Sequence, residues 1–202
     1  MLPNWIYYCI GKNSAKTEDS GVSKFVIPDN LLRFMGSNNL DFQNHIEQMD
    51  FSEVRDYTSM FQQLGRNITS LDFSEFSIVG STFYQAFYYS SYLTEIIFPL
   101  TIDTSIATSF QSCFQNCTAL VNIVNLDKFD LSSATTVHYF VKNCNSLNND
   151  TLQRLLIALA SATSITSPKT LNDVGLSSTK AQIATTFPEW NQLVSLGWTT
   201  GY

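Results

Sequence analysis

The chain has 202 residues, 44% of them hydrophobic, enough to bury a large core as one domain or one elongated array. Eleven Lys and Arg against seventeen Asp and Glu leave a formal net charge of −6 and no basic stripe for phosphates, which argues against a nucleic-acid partner. No apolar run approaches the roughly 18 residues of a membrane span, and four cysteines are too few for a disulfide scaffold.

The opening "MLPNWIYYCI" is apolar and aromatic. It lacks a basic leader and a small-residue cleavage site, and Pro3 and Asn4 interrupt any apolar stretch, so it reads as folded protein rather than a signal peptide. Either a targeting segment has been removed or the protein is not exported by that route. "WIYYCI" and "SKFVIP" predict two strands around the polar loop "GKNSAKTEDSG". They form or precede an N-terminal cap or attachment segment over residues 1–30.

Residues 31–147 carry a period of 27. Gly80, Ala107 and Ala134 share a column, as do Phe83, Phe110 and Val137. Ser90, Cys117 and Cys144 form a third, and Leu93, Leu120 and Leu147 a fourth. Phe61, Phe87, Phe114 and Phe140 follow nearly the same step. An apolar-x-x-apolar-x-apolar pattern recurs at Ile46, Met49 and Phe51, at Ile68, Leu71 and Phe73, and at Leu93, Ile96 and Phe98. Leu120 and Ile123 fit it with Asn125 in the last slot; Val22, Phe25 and Ile27 extend it backwards, and Leu171, Val174 and Leu176 forwards. The final apolar pair of each copy lies two residues apart, as on one side of a strand. Phe110, Cys113, Phe114 and Cys117 stand at i, i+3, i+4 and i+7, which predicts one stripe of a short helix. Such units bury their apolar faces only by stacking on copies of themselves through a parallel ladder.

Stacking gives the cysteines a packing role, since cysteine behaves as a small buried apolar residue and Ser90 takes the same column one unit earlier. Zinc ligation by Cys113, Cys117, Cys144 and His138 is the competing reading, although the spacing matches no common zinc pattern. A Cys117–Cys144 disulfide stays open, because stacked positions lie near the required Cα separation.

In the last segment, 148–202, Asn149 or Asp150 is placed to cap a helix with apolar face Leu152, Leu155, Leu156 and Leu159. "KTLNDVGL" predicts a strand and "STKAQIATTF" a helix. Pro188 fits the first position of a last helix, with Trp190, Leu193 and Leu196 inward, Gly197 at its C-terminal turn and Trp198 plugging the core.

The stretches "TSMFQQLGRNITSLDFSEFS" (58–77), "QSCFQNCTALVNIVNLDKFDLSS" (111–133) and "VKNCNSL" (141–147) resemble degenerate BspA-like leucine-rich repeats. The unit at Gln85 departs from that pattern by carrying Ser90 where cysteine is usual. The tail with its Gly-Trp resembles the end piece of such arrays. The resemblance covers about residues 46–202. It implies an α/β leucine-rich-repeat solenoid, with a parallel strand ladder, short helices on the other face and capped ends. It also implies a recognition role on bacterial surfaces, in some protist surface proteins, or in phage tail or virion proteins, and does not imply an enzyme.

The residues themselves show little chemistry. His45 and His138 belong to no triad, phosphate loop or zinc motif. Asp50 recurs with Asp72, and Asp103 with Asp130, as turn or capping residues would. Asn67, Asn116 and Asn149 open formal glycosylation sequons. The outward positions of the ladder are Gln48, Asp50, Ser70, Asp72, Glu95, Ile97, Asn122 and Val124, the default binding face of a solenoid; Tyr84, Tyr88, Tyr89 and Tyr92 make a second candidate. The expectation is a non-enzymatic module of a phage fibre, tail or head surface, binding other virion proteins or glycan. It has no cofactor, metal or membrane insertion, and oligomerisation is left open. The alternatives are a bacterial cell-surface adhesin fragment and a glycan-cleaving enzyme using ladder carboxylates.

Overall fold

The computed structural model describes residues 25–26, 49–166 and 168–202. His45, Ile46, Gln48 and most of the expected N-terminal cap lie outside these residues. The fold is mixed α/β, with a small parallel three-stranded sheet and a few short helices. Strand β1 (Phe25–Val26) pairs in parallel with β2 (Met49–Asp50). Strands β3 (Ser70–Asp72), β4 (Glu95–Ile97) and β5 (Asn122–Val124) form a second parallel ladder in that order. Its register aligns Ser70 with Glu95 and Asn122, Leu71 with Ile96 and Ile123, and Asp72 with Ile97 and Val124. The spacing in sequence is therefore also the pairing register. Alternation points Leu71, Ile96 and Ile123 into the core and leaves their neighbours on the other side.

The expected short helices between the strands are not helices. Residues 110–117 form overlapping turns, in which Cys113, Gln115 and Cys117 donate to the carbonyls of Phe110, Ser112 and Phe114 three residues back. The alternate N–H groups, on Phe110, Ser112, Phe114 and Asn116, donate instead to Thr136, His138, Phe140 and Lys142 of the following segment. Ser112 and Asn116 have φ of 56° and 65°, left-handed values that interrupt a helix. The same pair recurs at Ser59 and Gln63, Gln85 and Tyr89, and Tyr139 and Asn143. Phe110, Cys113, Phe114 and Cys117 are all fully buried, so the apolar spacing marks the core while the backbone follows turns in place of a helix. A turn strip with a four-residue conformational repeat buries the same positions as two helical turns.

The core is a set of columns. Tyr57 stacks on Phe83 at 4.9 Å and Phe83 on Phe110 at 5.3 Å, with ring planes within 5°. Phe61, Phe87, Phe114 and Phe140 follow at centroid separations of 5.1, 5.2 and 5.4 Å. These separations approach the roughly 4.8 Å between neighbouring strands, so one spacing satisfies both backbone ladder and ring contacts. Gly80 heads the alanine column because a Cβ there would come 2.3 Å from the Phe83 ring.

The far end is closed by α1 (Asn149–Ala160), whose cap is Asn148, one residue before the expected position. The Asn148 side chain accepts the Thr151 N–H at 2.8 Å. Thr151 Oγ1 in turn accepts the Ile123 N–H and donates to the Val121 carbonyl, each at 3.1 Å, which occupies backbone groups on the open side of β5. Leu152, Leu155, Leu156 and Leu159 are buried as expected. The expected strand at "KTLNDVGL" is instead a bridge at Thr170 followed by the one-turn α2 (Leu171–Val174). Thr170 caps it through the Asp173 N–H, and Gly175 at φ 100° ends it. After α3 (Ser178–Ala184) comes α4 (Glu189–Ser195), with Pro188 at its cap rather than inside its first turn. Leu193 and Trp198 are buried and Trp190 partly so, but Leu196 is 37% exposed and does not point inward.

Candidate functional site

Six of the eight expected surface residues come together on the three-stranded ladder. Ser70, Glu95 and Asn122 make one row across the strands, and Asp72, Ile97 and Val124 the next. All are half-buried except Asp72, which is exposed. The first row is ordered by amides: Asn148 Nδ2 donates to Asn122 Oδ1, and Asn122 Nδ2 donates to Glu95 Oε1 at 3.1 Å. The second row passes from a carboxylate to two aliphatic side chains. Asp50 sits on β2 in the other sheet, half-buried, and Gln48 lies outside the described residues.

The aspartates have turn duties. Oδ1 of Asp50, Asp72 and Asp130 each accepts the backbone N–H two residues ahead, at 2.8 to 2.9 Å. Asp103 does the same with Ser105 and also accepts its hydroxyl, and those bonds hold its carboxyl below the usual range. The carboxylates thus serve local loop closure at repeat-equivalent positions.

The cysteine column is packed and reduced. Cys113, Cys117 and Cys144 are buried free thiols, so the Cys117–Cys144 pair is not a disulfide. Ser90 Oγ donates to the Phe61 carbonyl at 2.7 Å. Cys117 Sγ donates to Phe87 at 3.0 Å and Cys144 Sγ to Phe114 at 2.9 Å, so the three residues perform one task in successive units. Burial pushes the Cys113 and Cys117 thiols well up, away from the nucleophilic thiolate. His138 is directed elsewhere, with Nδ1 2.6 Å from Asp173 Oδ1. Among the described residues, no group of three or more metal-ligating side chains converges.

Of the tyrosines, Tyr84 and Tyr88 are half-buried while Tyr89 and Tyr92 are exposed, with the Arg66 guanidinium 5.6 Å from the Tyr92 ring. Sequence reasoning missed a cavity beside Lys142 and Tyr202, because its walls come from segments about 30 and 60 residues apart. The available signal was Gly175, which lets α2 approach the Lys142 backbone.

The short parallel ladder and its phenylalanine columns define a mixed α/β protein with a recurring packing unit. The chain belongs to the family described as Mycoplasma protein of unknown function, DUF285, matched over residues 29–96 and again over 67–164, together more than half its length. That family is associated with BspA-like repeat proteins. No curated protein matches the chain, and no solved structure does. No helix among the described residues is long and apolar enough to cross a membrane.

Proposed function

We propose that the chain is a non-enzymatic recognition or assembly module, a solenoid of BspA-like leucine-rich-repeat type that binds protein or glycan through its ladder face. The observation that carries this reading is the ordered surface of β3 to β5. The backbone ladder fixes its side chains, the Asn148–Asn122–Glu95 amide row orients its polar half, and Ile97 and Val124 supply apolar contact. A face already rigid before binding gives up little entropy when a partner arrives. The stacked columns and the hydrogen bonds between segments, mostly 25 to 27 residues apart, support the solenoid. The resemblance offers two settings, a phage virion component or a bacterial surface adhesin, and the mycoplasma description of the family favours the second.

Glycan arrays, immobilised extracellular-matrix proteins and intact bacterial cells, each probed with the wild type, Glu95→Lys and Ile97→Arg, test the proposal. Gln115→Lys on the turn strip is the control. The reading predicts binding that both ladder variants abolish and the control preserves. Equal binding by all four chains would sink it.

A further inference from the structure

A cavity of about 230 Å³ opens where the last repeat segment meets the C-terminal helices. Lys142, Asn143 and Asn145 line one side; Asn172, Ser177 and Tyr202 line the other. Its walls are fixed. Tyr139 and Val141 donate to the carbonyls of Asp173 and Val174, at 2.7 and 3.0 Å. Gly175 packs so close that a Cβ would come 2.6 Å from the Lys142 backbone. The Tyr202 hydroxyl donates to the Leu176 carbonyl, which pins the ring at the rim.

Lys142 is the one charged side chain in this lining. It is half-buried, its ammonium rests 3.5 Å from the Tyr139 ring centre, and no described carboxylate pairs with it. In a chain of net charge −6, that leaves a cation facing a polar hollow. An ammonium has three N–H groups, so contact with the ring leaves donors for a ligand. Around it stand groups with capacity to spare. Asn145 makes no hydrogen bond to a described residue, Asn143 uses only its Nδ2, on Asn116, and Ser177 Oγ accepts from Lys180 with its own proton free. A cation, mixed amide and hydroxyl groups and a tyrosine ring suit a hydroxylated ring bearing a carboxylate. The volume lies below the roughly 300 to 1,000 Å³ of sites for drug-sized ligands and so fits a single residue.

We propose that this cavity binds an acidic sugar of hexuronate size, with Lys142 holding the carboxylate and the asparagines and Ser177 the hydroxyls. The site extends the glycan branch of the recognition reading to a second surface and does not need the ladder face. Titration of the full chain with glucuronate, glucose and inorganic sulfate to about 20 mM, followed by amide NMR shifts, tests it. The expected result is saturation by glucuronate, with shifts confined to residues 139–145, 172–177 and Tyr202, and binding of glucose and sulfate at least about tenfold weaker. Lys142→Gln should weaken glucuronate by about tenfold or more. Asn145→Asp, at an exposed position, should do so by charge repulsion even if Lys142→Gln fails to fold. If glucuronate fails to saturate this cavity while the ladder variants still abolish partner capture, only this site falls and the recognition reading stands. No saturation by glucuronate, equal affinity for sulfate, or undiminished binding in Asn145→Asp would each overturn the assignment.

Discussion

Cys117 should tolerate serine better than valine, against the usual order for a fully buried site. Cys117 has no exposed surface, and its Sγ donates to the Phe87 carbonyl at 3.0 Å. Ser90 does the same one unit earlier, equally buried, with its Oγ 2.7 Å from the Phe61 carbonyl. A serine hydroxyl buried without a partner would cost about 1 to 3 kcal/mol. At position 117 it inherits a carbonyl acceptor, so Cys117→Ser should cost about 1 kcal/mol or less. Valine has no donor and forfeits about 1 kcal/mol of hydrogen bonding. Its branched Cβ must also fit a site with no free surface, adding about 1 to 3 kcal/mol of overpacking, for a total of about 2 to 4 kcal/mol. Urea unfolding followed by far-ultraviolet circular dichroism separates these values, provided the slopes agree between variants. A valine variant as stable as the serine one, or more so, would refute the equivalence of Ser90, Cys117 and Cys144.

Two further outcomes follow from the core and the charges. Phe114 is fully buried between Phe87 and Phe140, so Phe114→Ala should cost about 3 to 5 kcal/mol, whereas Gln115→Ala should stay within about 0.5 kcal/mol. At about 2 to 4 °C per kcal/mol, melting curves resolve the two, and equal shifts would contradict the register. Burial pushes the Asp127 carboxyl up, but Arg154 at 2.6 Å and then Lys128 outweigh it and hold the group below its ordinary value. A depressed carboxylate stabilises the fold above its unfolded pKa of about 4, and that contribution is lost as pH falls through the folded value. Asp127→Asn should therefore lower stability at pH 7 by up to about 1 kcal/mol, Arg154 being 38% exposed, and match the wild type near pH 2. A difference independent of pH would rule out the ion pair as its source.

Much of this architecture is legible in the sequence because successive segments repeat the same burial task. Phe83 with Phe110, Cys117 with Cys144, and Leu93 with Leu120 and Leu147 are buried at equivalent depth. Strand alternation likewise located Ser70, Asp72, Glu95, Ile97, Asn122 and Val124 on one face. The turn strips were not legible as turns. A stripe at i, i+3, i+4 and i+7 is compatible with a helix, and only the left-handed residues Ser112 and Asn116 distinguish the two. Neither serine nor asparagine announces that conformation as glycine would. At "KTLNDVGL" the apolar template suggested a strand, but Thr170 and Gly175 bracket a single helical turn. The cavity at Lys142 depends on where the C-terminal helices dock, which local pattern does not encode.

Segments 25 to 27 residues apart lie one upon the next, as in the hydrogen bonds from Thr94 to Thr69, Val121 to Thr94 and Asn148 to Val121. Paired cysteine substitutions at Glu95 and Asn122, register partners on neighbouring strands, measure this stacking directly. Their Cα atoms stand about 4.8 Å apart, inside the range a disulfide bridges, whereas the diagonal pair Glu95 and Val124 lies about 7 to 8 Å apart, beyond it. Mild oxidation and peptide mapping should find a Glu95→Cys/Asn122→Cys cross-link and none for Glu95→Cys/Val124→Cys. Equal yields from the two pairs, or none from the first, would contradict the stacking.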